Sequence, residues 1–176
     1  MSRKVLDLTT AQADAIQTYI WQIRDLMGLS HWDVFLASKP CPKSANASVL
    51  PTEGRHVAPL SIARDWLDTR SPVEQRNDIV HELIHVVHRD QTDIIRVGLL
   101  RSGYLPPKAA HLLWELFSTH AELMVDHLAN VLAPTMPLPE WTEIARAGDD
   151  MGGKPSKGTP ADRRIKGNKG NKGKKS

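Results

Sequence analysis

A single cysteine, Cys41, leaves this chain without the means to form an intrachain disulfide, and that suits a reducing cytoplasm. Cys41 lies between Pro40 and Pro42, a setting that reads as a free surface thiol rather than a metal ligand. Long apolar runs are also missing. No stretch approaches the roughly 18 residues of a membrane span, so no membrane partner is expected. The opening segment Met1–Asp7 lacks the apolar run of a secretory signal. Acid is scarce at the other end. Residues 152–176 hold nine Lys/Arg against one acid, Asp162, so of the net +3 this segment carries +8 and residues 1–151 carry −5. Its Gly, Lys, Asn and Pro have almost nothing to bury, which predicts a disordered basic tail over 152–176. Without aromatics that tail has no stacking groups for bases. Any nucleic-acid partner would then be held non-specifically, through counterion release; a solubilising tail with no partner is the alternative. The remainder, 1–151, is long enough for one globular domain with a real core.

Against these absences stands one dense motif, His81-Glu82-Leu83-Ile84-His85. Two histidines one helical turn apart project from the same face, about 5–6 Å apart at Cβ, so both can reach one metal ion. The glutamate beside the first histidine can take the proton from a metal-bound water without itself binding the metal. Composition alone would produce this pattern in only about one such chain in a hundred. It points to zinc and to a hydrolase, most simply a peptidase acting on a protein or peptide.

The periodicities around the motif predict an α+β fold. A first helix is expected over Thr10–Met27, capped by Thr9 or Thr10, carrying Ala15, Ile16, Tyr19, Ile20, Ile23 and Met27 at helical spacing and closed by Gly28. Segments 31–37, 45–50 and 56–62 read as strands, the last two joined by a turn at Pro51–Gly54, and together they predict a small antiparallel sheet of about three strands. Ser71-Pro72-Val73-Glu74 is a helix start with serine cap, proline at the first position and a capping-box glutamate. The motif helix should run from there to about Arg89. Residues 90–106 suggest a short helix punctuated by Gly98, Gly103 and Pro106–Pro107. A long helix is expected from Pro107 or Lys108 to Leu132, ended by Pro134, with a short amphipathic piece near 140–147.

Catalytic zinc usually takes three protein ligands and keeps a position for water. His88, three residues past His85, sits on the same helix, and three ligands on one straight helix hold a single ion poorly. The long helix offers Glu122 and Asp126 one turn apart, with Glu115 on the same stripe. Glu122 is the expected third ligand and Glu115 a weaker candidate. Asp126 would accept the N–H of a ligand histidine's second ring nitrogen. Leu123, Met124, Val125, Leu128 and Ala129 predict that this stretch is buried, and buried acids need partners.

On these residues the chain resembles the gluzincins, whose HExxH helix is followed by a helix bearing a ligand glutamate and a supporting acid. It is similar to the small ImmA/IrrE-like and phage-encoded metallopeptidases, in the rhythm of Glu122, Val125, Asp126, Leu128, Ala129, Leu132 and Pro134 and in the opening Leu29–Val34. One departure is that Val125-Asp126 stands where those families carry Ala-Asn. The resemblance implies a zincin-like domain over 1–151, in which the sheet packs on the HExxH helix and the long C-terminal helix. It also implies a cytoplasmic location (the host's, for a phage protein). Zn²⁺ would be held by His81, His85 and Glu122, with Glu82 as general base. An oxyanion donor is needed; His111, His120, His127 and Tyr104 are available, with Tyr104 preferred for its glycine- and proline-flanked loop. The strand ending near Ile62 could pair with an extended peptide through its edge. Two other readings are a SprT-like DNA-associated protease, which would want a third histidine downstream, and a non-catalytic virion or DNA-packaging component that keeps a zinc site without needing Glu82.

Overall fold

The computed structural model describes Leu6 and residues 8–140. The expected amphipathic piece from 141 onward and the basic tail lie outside the described residues.

Helix α1 (Thr10–Leu26) opens with a capping box: Thr9 accepts from the Gln12 N–H and Gln12 returns an acceptor to the Thr9 N–H. Its Ile16, Tyr19, Ile20 and Ile23 are buried at the spacing that makes one apolar stripe. Gly28, at φ +74°, turns the chain out in the left-handed conformation, and the Leu29 N–H closes on the Arg24 carbonyl.

Three strands follow, β1 (Asp33–Leu36), β2 (Ala47–Val49) and β3 (Val57–Ile62), in the spatial order β1-β3-β2. The sheet is mixed. β2 and β3 form the expected antiparallel hairpin, with Val49 opposite Leu60, but β1 runs parallel to β3, with Val34 beside Ala58. This corrects the expectation of an antiparallel sheet. The Pro40- and Pro42-containing segment after β1 leads the chain across to the far side, so the hairpin returns β3 alongside β1 in the same direction. β3 buries alternate residues Ala58, Leu60 and Ile62. The outer edge of β1 is closed by α1: Gln17 donates to the Val34 carbonyl at 3.0 Å and accepts the Leu36 N–H at 2.6 Å, as a neighbouring strand would.

Helix α2 (Trp66–Thr69) is one short turn, and its Trp66 fills the core. Helix α3 (Pro72–Val87) carries the motif. Ser71 and Glu74 complete its capping box, and Arg70 and the Trp66 indole both donate to Asp78. Ile79, Val80, Leu83, Ile84 and Val86 are buried, so α3 is the central helix. It ends at Val87, two residues before the expected Arg89. Helix α4 (Arg89–Asp93) and a π-helical segment (Ile94–Leu100) follow, where one short helix was expected.

Helix α5 (Pro107–Leu132) spans 26 residues, about 39 Å. Only Val125 and Ala129 are buried along it. The expectation of a largely buried stretch around Glu122 therefore fails at Leu123 and Met124, which are 60% and 41% exposed. A single seam, rather than a full face, docks α5 on α3. Beyond it, the Tyr19 hydroxyl donates to the Pro137 carbonyl and Arg76 to the Met136 carbonyl, tying the end of α5 to α1 and α3.

Candidate metal centre

Three donor side chains converge from two helices. His81 and His85, one turn apart on α3, bring their Nε2 atoms to 3.1 Å. Glu122 reaches across from α5, with Oε1 3.2 Å from His81 Nε2 and Oε2 3.5 Å from His85 Nε2. Each residue offers one atom to a cluster no wider than 4.8 Å. Asp126 Oδ1 lies 3.2 Å from His81 Nδ1, on the side of the ring away from that cluster. A carboxylate there favours the proton on Nδ1 and leaves the Nε2 lone pair facing the other donors. His85 meets Glu122 while His81 meets both acids, so the two stripes climb in opposite directions and the helices are antiparallel at the site.

Glu82 is the next residue in sequence and is turned by about 100° around the helix, toward β2, while still lining the same cleft as His81. Its Oε2 accepts the Val49 N–H of β2 at 2.7 Å. At 8% exposure its carboxyl is pushed up to about 7, above all by burial. The Glu122 and Asp78 charges push the same way, against His81 and the Val49 N–H. A carboxyl poised there can take and return a proton near neutral pH. His85 is shifted the other way. Burial, with His81 and His88 nearby, lowers its pKa against the pull of Glu122 and Asp126. Its neutral form, the one that ligates metals, is therefore favoured.

The bond to Val49 also identifies the sheet edge at the site. Leu50 N–H goes to Pro59 and Ala63 N–H to Asn46, so Asn46, Ser48 and Leu50 face β3 while Ala47 and Val49 turn their backbone groups toward α3. The edge beside the motif is β2. The strand ending at Ile62, expected to offer its edge, is the paired centre of the sheet. A cleft of about 380 Å³ runs between the 44–47 segment and the two helices, and His81, Glu82, Glu122 and Asp126 all line it.

The remaining candidates lie apart from this group. Tyr104 is 84% exposed and does not line the cleft. Glu115 pairs with His111 at 3.2 Å on the outer surface of α5. His120 and His127 are exposed, and His88 caps the end of α3 with a buried Nδ1 that has no hydrogen-bond partner. The lining residues not anticipated include three asparagines, Asn46, Asn77 and Asn130. Two of them carried a legible signal, since Asn77 precedes His81 by four residues and Asn130 follows Asp126 by four. No family model, no curated protein and no solved structure matches this chain.

Proposed function

We propose that this chain is a zinc-dependent metallopeptidase with a gluzincin-type centre, in which His81, His85 and Glu122 hold the ion and Glu82 is the general base. The observation that carries the reading is the spacing of the donors. Tetrahedral zinc with bonds near 2.0–2.1 Å places its ligand atoms about 3.3 Å apart; the two imidazole nitrogens here are 3.1 Å apart. The Glu122 carboxylate spans them, with Oε1 3.2 Å from His81 and Oε2 3.5 Å from His85, and one donor atom from each residue falls within 4.8 Å of the others. The donor chemistry agrees, two imidazoles and one carboxylate. A zinc ion in this position supplies Lewis acidity, polarising the scissile carbonyl and acidifying the attacking water.

The protein's own groups supply the rest. Glu82 accepts the proton of the attacking water and delivers it to the departing amine. The Val49 N–H keeps its carboxyl turned to the strand side of the helix. Asp126 holds the His81 ring in register. The backbone of Ala47 at the outer edge of β2, next to the Val49 N–H that Glu82 takes, offers a peptide a point of strand pairing. Among the described residues no helix is long and apolar enough to cross a membrane. A histidine-ligand centre of the SprT type is disfavoured because Glu122 occupies the third position.

Glu82→Gln is the decisive variant. The amide oxygen still accepts from Val49, so the fold should survive. Zinc content is expected to stay at one ion per chain, while hydrolysis of an unfolded protein substrate falls about 10²–10⁴-fold. Full activity in that variant, or a folded wild-type chain that takes up no zinc, overturns the reading.

A further inference from the structure

The two stripes that build the metal centre continue past it. On α3 the series is Asn77, His81, His85; on α5 it is Glu122, Asp126, Asn130. Both have a spacing of four, and the helices are antiparallel. Beyond the Asp126–His81 rung, the next rung is therefore asparagine opposite asparagine, about 6 Å along the helix axis. Both line the cleft, with Asn46 across from them on the sheet side. The Asn77 Oδ1 is buried without a hydrogen-bond partner.

This end of the cleft has a definite chemistry. Among the described residues its apolar lining is alanine alone (Ala45, Ala47 and Ala129), and no Lys or Arg lines it. Its one acid beyond the metal centre, Asp78, is already engaged by Arg70 and the Trp66 indole. A large aliphatic or aromatic side chain would strand the amides, an anionic one would meet no cation among the described lining residues, and a cationic one would compete with Arg70 for Asp78 and with the His81 ring for Asp126. An amide fits, because it offers donors and an acceptor to groups that offer the same. We infer that Asn77 and Asn130 form a specificity pocket selecting an asparagine or glutamine side chain on a residue flanking the scissile bond. The inference rests on the peptidase reading, since it takes the metal centre as the point of cleavage.

The test uses the zinc-loaded full chain and calorimetric titration with peptidyl hydroxamates. Two pairs are needed, each differing only in asparagine against its near-isostere leucine, with that side chain before the hydroxamate in one pair and after it in the other. In one pair asparagine is expected to bind about tenfold tighter. Asn130→Leu, at an exposed position that should not disturb folding, is expected to erase or reverse that preference with zinc affinity unchanged. The pocket is refuted if leucine binds as well as asparagine in both pairs. It is equally refuted if the preference survives both Asn130→Leu and Asn77→Leu. Equal binding by a zinc-loaded chain sinks the pocket alone, whereas a folded chain that takes up no zinc sinks the peptidase reading and the pocket with it.

Discussion

Asp126 separates a tuned metal centre from a chance gathering of polar groups. In the structure its Oδ1 lies 3.2 Å from His81 Nδ1, so under the proposed reading it would act on a bound ion only through that ring. Supporting acids of this kind change metal affinity by about 10–100-fold. The Asp126 side chain is 58% exposed, and water screens it, so the lower end applies. Asp126→Ala is therefore expected to weaken zinc binding about tenfold, or about 1.4 kcal/mol. Asp126→Asn keeps an oxygen acceptor but loses the charge, and should fall in between. Competition against a chromophoric zinc chelator near neutral pH measures all of these. Glu115→Ala is the control: it removes the same charge from the same helix, at a site paired with His111 instead. It should leave zinc affinity unchanged. If Asp126→Ala binds like the wild type, or Glu115→Ala loses as much, the orienting role is wrong and only diffuse electrostatics remains.

Three further substitutions test how the fold holds the centre. Val125→Ala removes one of the two buried residues of α5 and should cost about 2 kcal/mol in urea unfolding; zinc affinity should drop with it, because Glu122 and Asp126 ride on that seam. Gln17→Ala removes both of its own bonds to β1, leaving the Trp21 indole on the Val34 carbonyl but the Leu36 N–H without its acceptor, and should cost about 1–2 kcal/mol of stability while zinc affinity stays at the wild-type value. Ser71→Ala breaks the capping box of α3 and should cost about 1 kcal/mol by thermal melting, again without affecting zinc binding, since the cap lies nearly three turns from His81.

Much of this architecture was legible in local patterns. The caps at Thr9 and Ser71 follow from side-chain oxygens placed to satisfy free helix N–H groups. The helix bounds at Thr10, Pro72, Pro107 and Leu132 agree with the periodicity and with the proline stops. Elements whose form depends on distant partners were not legible. The parallel pairing of β1 with β3 depends on where the Pro40–Pro42 connection sends the chain, which no strand pattern records. The burial expected around Glu122 assumed a full apolar face, whereas α5 rests on one seam. Tyr104 was favoured for its loop, yet that loop lies away from the cleft.

The sequence by itself determined the chemistry of the donors and their spacing along each helix, because a turn of 3.6 residues carries His81 to His85 and Glu122 to Asp126 wherever the helices lie. Tertiary structure decided the rest. It set the antiparallel alignment that brings Glu122 across to both histidines and leaves Asn130 at the level of Asn77. It placed the β2 edge against Glu82, and it put Tyr104 in solvent. Helix periodicity is a local property of the backbone, but the meeting of two helices and a strand edge depends on packing between residues more than thirty positions apart.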